Sequence, residues 1–144
     1  MDIFVEQVSR EEFLKISKDV HLGAFFEHRE PDFERLNYAL VCHDSHDKLT
    51  AYATIIEHDA DSAYMQHGGC FSDVEKFKTV KSYLLMMNYL KGKYKTITTR
   101  IFNENIAMLK LAFTAGLRVI GVEYSAGSDS PSILLHLRLD VVAT

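Results

Sequence analysis

The chain has 144 residues, of which 47% are hydrophobic and 25% charged, and its formal net charge is −4. These values are typical of one globular domain, which is predicted over residues 1–144, and the negative net charge excludes a global basic surface for nucleic acid. The sequence contains no run of apolar residues long enough to span a membrane. The two cysteines, Cys42 and Cys70, are too few for a disulfide framework, and no signal-peptide pattern is present, so a cytoplasmic protein is predicted.

The first half of the chain predicts a strand, two helices and then three strands. Ser9 and Glu12 form a capping box, which marks the start of the first helix. A shorter second helix is predicted within residues 24–35. Paired glycines at 68 and 69 predict a bulge or a close backbone approach in the last strand. The four strands are predicted at residues 3–8, 38–42, 49–57 and 62–71.

The second half predicts two helices, each followed by a strand, and then a last strand. The first helix is capped by Ser72–Asp73 and ends near Lys93. The second begins at Asn103 or Asn105 and ends at Gly116, where a left-handed residue is common. The residues predicted to be buried are Phe77, Val80, Leu84 and Met87 on the first helix, and Ile106, Leu109 and Phe113 on the second. The strands are predicted at residues 94–101, 118–124 and 133–139.

The resulting order, β-α-α-β-β-β-α-β-α-β-β, describes an α/β fold with a central mixed, mostly antiparallel sheet. The helix between strands 62–71 and 94–101 makes a crossover connection, so these two strands are predicted to be parallel. The last strand, 133–139, alternates apolar and polar residues and is a candidate edge for a homodimer.

Residues 94–122 contain a strand, a helix that Asn105 caps, and two terminal glycines, Gly116 and Gly121. In this stretch and in its element order the chain resembles the GNAT superfamily of N-acetyltransferases, and small GNAT-like proteins of bacteriophages look similar. The resemblance implies that strands 62–71 and 94–101 splay apart to hold acetyl-CoA as co-substrate. It also implies direct attack by an amine acceptor, with backbone N–H groups of the bulged strand holding the oxyanion.

The resemblance also implies which residues hold the acyl-CoA. The pantetheine arm would pair with the strand near Gly69, Cys70 and Phe71, and the pyrophosphate would lie at the N-terminus of the next helix, which favours anions. Lys81 stands at a position that is small in the family, and either pairs with phosphate, fills its space, or belongs to a solvated face. Where the family has Arg-Gly-x-Gly-x-Gly/Ala, this chain has Lys76, Phe77, Lys78, Thr79, Val80 and Lys81.

The residues that would transfer protons match the family pattern less well. Many family members carry a tyrosine that protonates the leaving thiolate, and Ala112 stands at that position here. His67 is a candidate base because its strand lines the gap and imidazole titrates near neutral pH, but strand parity leaves its direction open. The other candidate bases are Glu57 and His58, and the other candidate hydroxyls are Tyr83, Tyr89 and Tyr124.

Two further interpretations of the sequence are a metal site and a non-catalytic function. His43 and His46 have a spacing that metal ligands can have, but no second ligand pair stands out, so they are interpreted as a polar hairpin turn and no metal site is predicted. Lys81 and Ala112 also favour an alternative function. In that alternative the chain is a catalytically inactive GNAT-fold module for binding or assembly, such as a phage structural or accessory protein.

Overall fold

The computed structural model describes residues 2–19, 33–70, 75–125 and 132–141. Most of the second predicted helix, within 24–35, lies outside these ranges, and residues 33–35 form a turn. The α/β class and the order of the other elements are confirmed. The elements are β1 Ile3–Ser9, α1 Arg10–Asp19, β2 Tyr38–Asp44, β3 Leu49–Asp59, β4 Ser62–Cys70, α2 Lys76–Lys93, β5 Thr96–Phe102, α3 Ile106–Thr114, β6 Arg118–Ser125 and β7 Ser132–Asp140.

The described strands form one seven-stranded sheet in the order β1-β2-β3-β4-β5-β7-β6. The pair β4–β5 is parallel and the other neighbours are antiparallel, as the crossover through α2 predicts. The prediction that the last strand is a sheet edge is wrong, because β7 lies between β5 and β6. The outer strands are β1 and β6, so β7 cannot serve an edge-to-edge dimer.

The parallel strands β4 and β5 stay paired only at their first residues. Pairing runs from Ser62 opposite Thr96 to Met65 opposite Thr99 and then stops. The Thr99 hydroxyl donates a hydrogen bond of 3.0 Å to the carbonyl oxygen of Met65 and closes this end of the pair. Beyond it, residues 66–70 of β4 and 100–102 of β5 have no register partner in each other. The predicted splay is therefore confirmed, and it leaves a gap in the middle of the sheet.

Helices cover the two faces of the sheet unequally. On one side, named the α2 face, α2 and α3 pack on a large buried cluster that includes Met87, Leu109 and Ile97. On the other, named the α1 face, Phe13 of α1 packs against Tyr52 of β3, with ring centroids 5.5 Å apart. None of the described helices is both long and apolar enough to cross a membrane.

The helix ends follow local chemistry. The Ser9 hydroxyl accepts a hydrogen bond of 3.1 Å from the amide of Glu12, as the capping box predicts. Asn105 caps α3 through its side-chain oxygen, which accepts from the amide of Met108, and Gly116 has φ +102°. The Ser72–Asp73 cap is wrong, because the helix begins at Lys76 after Glu75, whose side chain makes no cap bond.

The buried faces of α2 and α3 differ from the predicted ones. Phe77 is 58% exposed, and Ile106 and Phe113 are exposed on α3. When a helix carries apolar residues on more than one side, their spacing alone does not show which side faces the sheet. Ser82 lies on the buried side because Thr50 of β3 supplies a hydroxyl 2.8 Å away. The residues that are buried are Ser82, Tyr83, Met86, Met87 and Leu90 on α2, and Leu109 and Ala112 on α3.

Candidate active site

Two adjoining cavities occupy the gap between β4 and β5. The first, named the gap cavity, has a volume of about 210 Å³ and is lined by residues 65–68 of β4 and 99–102 of β5. The second, named the α2–α3 cavity, has a volume of about 240 Å³ and extends along β4 between the two helices. Both are lined by Met65 and Gly68, so the two cavities adjoin at these residues.

A β-bulge sets the direction of the side chains along β4. Ile55 pairs with Met65 and Thr54 pairs with His67, which leaves Gln66 as an extra residue. One extra residue reverses the alternation of a strand. Met65 therefore faces α2, whereas His67, two positions later, faces the α1 side together with Thr54.

The two glycines of β4 have different roles. A Cβ atom at Gly69 would lie 3.0 Å from the ring and the hydroxyl of Tyr52, so the predicted close approach is confirmed here. A Cβ atom at Gly68 would lie no nearer than 3.4 Å to any neighbour, and Gly68 lines both cavities. A side chain at 69 would therefore press on the Tyr52 ring, whereas at 68 a side chain would enter the cavities. The bulge itself lies at Gln66, before the glycine pair.

Tyr52 holds the imidazole of His67 against the sheet. The Tyr52 hydroxyl lies 3.1 Å from Nδ1 of His67. The two rings stack, with centroids 5.9 Å apart and planes inclined by 12°. Burial raises the pKa of Tyr52 well above its usual value, so the hydroxyl stays protonated. The pair fixes the plane of an imidazole at the wall of the gap cavity.

The fold matches solved N-acetyltransferases. No protein-family model matches the chain, and no curated protein is significantly similar in sequence. The ribosomal-protein-S18-alanine N-acetyltransferase from Escherichia coli superposes with a TM-score of 0.76 at 10% identity, over 99% of this chain and 96% of that one. A GNAT-family acetyltransferase from Streptococcus pneumoniae has a TM-score of 0.73 at 6% identity, over 98% of this chain and 100% of the other. This chain has the GNAT fold.

A third neighbour of the GNAT fold is a mutant form of the spermidine/spermine N-acetyltransferase SpeG from Vibrio cholerae. Its TM-score is 0.71 at 11% identity, over 96% of this chain and 95% of the other. At such low identities these likenesses show the fold alone, and the chemistry must be argued from the residues of this chain.

The candidate phosphate residues of this GNAT fold point in different directions. Lys76 is exposed in the first turn of α2, and Thr79 lines the α2–α3 cavity. Lys78 is turned away, because its ammonium pairs with Asp44 at 3.4 Å. Lys81 lies about 200° around the helix from Thr79 and lines an outer groove of α2 together with Phe77 and Val80. Phe71 lies outside the described residues.

The start of α2 carries charges of both signs. Its first turn contains no acidic residue, whereas the exposed N-cap residue Glu75 brings a carboxylate that makes no side-chain cap. A helix N-terminus in that condition offers unpaired N–H groups and a partial positive charge. Lys76 adds a full positive charge there. Lys81 lines the outer groove of α2, which Lys76 also lines.

The other candidate catalytic groups of the sequence lie away from the gap. Glu57 pairs in register with Ala63, four positions before His67, and its carboxylate interacts with Tyr94. His58 stacks on Tyr64 with centroids 6.1 Å apart. Tyr124 is 64% exposed on the outer strand β6, two strands from β5. Of these four candidates, His67 is the one that lines the gap cavity.

A polar cavity adjoins the gap on the α1 face. It has a volume of about 290 Å³ and shares Thr99 and Arg100 with the gap cavity. The Arg100 Nε donates to the Tyr64 hydroxyl at 2.9 Å. Glu123 lies between Arg100, at 4.0 Å, and Nε2 of His136, at 3.2 Å. This cavity therefore meets the gap cavity, which His67 lines, at Thr99 and Arg100.

Sequence reasoning missed the partners that come from distant elements. Tyr52 is 15 positions from His67, and Asp44 is 34 positions from Lys78. The sequence indicates Tyr83 only as one of several candidate hydroxyls. It follows Thr79 by one helical turn and lines the same cavity, and this helical spacing is the pattern that could have placed the two residues together. Among the described residues, no group of three or more His, Cys, Asp or Glu is arranged to hold a metal ion.

The buried pair of Asp44 and Lys78 anchors α2 to the turn between β2 and β3. The side chains are 3% and 12% exposed, and Asp44 also accepts from the amides of His46 and Lys48. Burial alone would raise the pKa of Asp44, but these amide hydrogen bonds and Lys78 outweigh it and hold the pKa below its usual value. Its stabilising contribution is therefore present above the unfolded pKa of about 3.9 and lost as pH falls through the folded pKa.

Asp44→Asn is expected to lower the unfolding midpoint by several degrees at pH 7, because the variant leaves Lys78 with its charge unpaired. The difference from the wild-type midpoint should shrink below about pH 4, where the carboxyl takes up its proton first in the unfolded protein and, at lower pH, in the folded one. The measurement is thermal unfolding at steps from pH 7 to pH 3. Asp61→Asn is the control, since its pair with Lys95 is exposed and weak. A difference that stays constant down to pH 3 would contradict the assignment.

Proposed function

We propose that the protein is an N-acyltransferase that moves an acetyl or related acyl group from acyl-CoA to an amine. The observation that carries this proposal is the gap between β4 and β5, which continues as a cavity along β4 toward the start of α2. A gap in a sheet leaves backbone groups without partners, and an extended ligand with amides can pair with them. We place the reaction in the cytoplasm, which the free cysteines Cys42 and Cys70 suit.

Several residues fit an acyl-CoA at this site. Backbone groups of Gly68, Gly69 and Cys70 would pair with the pantetheine arm, because this part of β4 has no partner in β5. The start of α2 with Lys76 would hold the pyrophosphate. The cavity residues Thr79 and Asn105 would flank the arm, and the predicted contact at Phe71 is kept as part of the proposal. Lys78 is not included, because its charge is taken by Asp44.

His67 is proposed as the base that accepts the proton of the attacking amine. It lines the gap cavity, and Tyr52 fixes its ring. The amine nitrogen forms a bond to the thioester carbon, the carbon–sulfur bond breaks, and the amine proton passes to His67 directly or through water. N–H groups of the unpaired part of β4 would hold the negative charge that develops on the carbonyl oxygen.

The acceptor is proposed to enter from the α1 face. His67 faces that side, and the polar cavity around Arg100 opens beside it. The neighbours of similar fold include enzymes named for a protein alanine and for polyamines. We therefore propose a primary amine as the acceptor class. The catalytically inactive alternative is not favoured, because one of its two grounds was a blocking Lys81, which lines the outer groove.

The test is a titration of the purified protein with acetyl-CoA, followed by turnover. A ligand at a hundred times its dissociation constant stabilises a protein by about 2.7 kcal/mol, which raises the unfolding midpoint of a domain this size by roughly 5 to 10 °C. Release of free CoA thiol is then measured with a panel of primary amines that includes polyamines and peptides. Absence of any acetyl-CoA binding by folded protein would refute the proposal. Binding without turnover would support the inactive module instead.

A further inference from the structure

The polar cavity on the α1 face has a basic lining, in a protein whose formal net charge is −4. The lining contains the guanidinium groups of Arg35 and Arg100 and the imidazoles of His58 and His136. Among the described residues that line this cavity, none is acidic. A cleft lined by one sign of charge concentrates ligands of the opposite sign. The cavity therefore suits a ligand that carries a negatively charged group.

Tyr64 fixes the guanidinium of Arg100 in this cavity. The Arg100 Nε donates a hydrogen bond of 2.9 Å to the Tyr64 hydroxyl, and the guanidinium carbon lies 5.2 Å from the centroid of the Tyr64 ring. Tyr64 is buried, whereas the Arg100 side chain is 31% exposed and accessible to a ligand. A planar guanidinium that is held at Nε presents its two terminal nitrogens in a fixed direction.

The nearby carboxylate of Glu123 does not saturate these terminal nitrogens. It lies 4.0 Å from Nη1 of Arg100, which is beyond hydrogen-bond distance, and 3.2 Å from Nε2 of His136. The Glu123 side chain is 58% exposed, so water weakens its attraction for Arg100. Among the described residues, none accepts a hydrogen bond from Nη1 or Nη2 of Arg100. These two nitrogens have the geometry to bind two oxygens of a carboxylate or a phosphate.

Arg100 also lines the gap cavity, where the proposed base His67 lies. That cavity has a volume of about 210 Å³, so the two ends of one small molecule can reach both side chains. Thr99 lies between the gap cavity and the polar cavity and lines both. An acceptor that places its amine at His67 would therefore place a second polar group at Arg100. A second ammonium there would be repelled by the guanidinium, whereas an anionic group would be attracted.

We infer that the acceptor is a small primary amine that carries a carboxylate or phosphate group, and that Arg100 binds this group through Nη1 and Nη2. This inference rests on the proposed function and narrows its acceptor class. Arg100 orients the amine toward His67, and the anionic group itself is unchanged by the reaction. Polyamines, for which one neighbour of similar fold is named, are poor acceptors in this site.

The first test compares three amines of one length in the release of CoA from acetyl-CoA: β-alanine, its uncharged amide and 1,3-diaminopropane. The value of kcat/KM is expected to be at least about tenfold larger for β-alanine than for the other two. Glycine and γ-aminobutyrate, each with its amide, vary the distance between the two groups. Aminoethyl phosphate shows whether phosphate or carboxylate is the preferred group. Equal or faster turnover of the uncharged or dicationic amines would overturn the inference and leave the proposed function intact.

The second test replaces the guanidinium. Arg100→Gln is expected to lower kcat/KM for the best anionic amine about 10- to 100-fold, and for its amide by less than about threefold. Arg100→Lys keeps the charge without the planar fork and should recover only part of the loss. Arg118→Gln is the matched control, because Arg118 pairs with Asp140 at 3.1 Å and lines neither the gap cavity nor the polar cavity. It should leave the preference for the anionic amine unchanged.

Binding of the acceptor supplies a readout that does not need turnover. With CoA bound, saturating amounts of the best anionic amine should raise the unfolding midpoint further in wild type, and much less in Arg100→Gln. Equal losses of kcat/KM for the anionic amine and its amide would overturn the inference, because Arg100 would then only support the structure of the site. A wild-type protein that binds acetyl-CoA but turns over no amine would refute the proposed function, and the inference with it.

Discussion

Replacing His67 by glutamine is expected to lower kcat by about 10²- to 10⁴-fold, the usual contribution of a general base. Glutamine keeps a polar group beside the Tyr52 hydroxyl, so the local packing should survive. The affinity for acetyl-CoA should stay unchanged, because His67 faces the α1 side and not the α2–α3 cavity. The measurement is the steady-state rate with the best amine of the panel, together with a titration of acetyl-CoA.

His46→Gln is the matched control for this experiment. His46 is exposed in the turn between β2 and β3 and lines neither the gap cavity nor the polar cavity. Its loss should leave kcat unchanged. Tyr52→Phe keeps the stacked ring but removes the hydroxyl at Nδ1, and should lower kcat by less than the loss of His67 does. Full activity of His67→Gln would show that the amine loses its proton to another group.

Gly68→Val is expected to weaken acetyl-CoA binding strongly without unfolding the protein. A Cβ atom at Gly68 meets nothing nearer than the carbonyl oxygen of Tyr52 at 3.4 Å, so the strand accepts it. The side chain would stand in the wall shared by the two cavities, where the pantetheine arm has to pass. An overpacked site costs about 1–3 kcal/mol, which corresponds to roughly a tenfold to hundredfold loss of affinity. At the same acetyl-CoA concentration, the rise of the unfolding midpoint should fall to about half of the wild-type rise or less.

The control for this change is Gly121→Val in β6. A Cβ atom there meets nothing within 4 Å, and the residue is outside both cavities. It makes the same chemical change in a strand and should leave the acetyl-CoA shift intact. A Gly68→Val protein that unfolds at the wild-type midpoint and binds acetyl-CoA with the wild-type affinity would place the ligand somewhere else.

Features that depend on neighbouring residues could be predicted from the sequence. The caps at Ser9 and Asn105 and the left-handed Gly116 each involve groups three or four positions apart, and all three are found. The crossover rule then fixed the parallel pair. The buried face of α2 could not be predicted from its apolar spacing, because Ser82 lies inside, where its hydroxyl donates to the carbonyl oxygen of Lys78 and contacts Thr50, 32 positions away.

The candidate site was harder to predict for a related reason. The direction of His67 depends on one bulged residue, Gln66, and alternation without that bulge would turn the imidazole toward α2. Lys78 stands at a position of the sequence that suits a phosphate ligand, but its ammonium pairs with Asp44. In both cases the deciding group lies on another strand. A sequence pattern records spacing along one element, whereas these outcomes depend on what faces that element.

The short pairing between β4 and β5 has a consequence for the lifetime of the protein in a cell. Four register pairs join the two halves of the sheet there, compared with seven between β5 and β7. If acyl-CoA fills the gap, the free protein opens at this seam more readily than the loaded one. Proteases act on the opened population, so degradation would slow as the acyl-CoA concentration rises. The abundance of the protein would then follow the acyl-CoA supply without any change in synthesis.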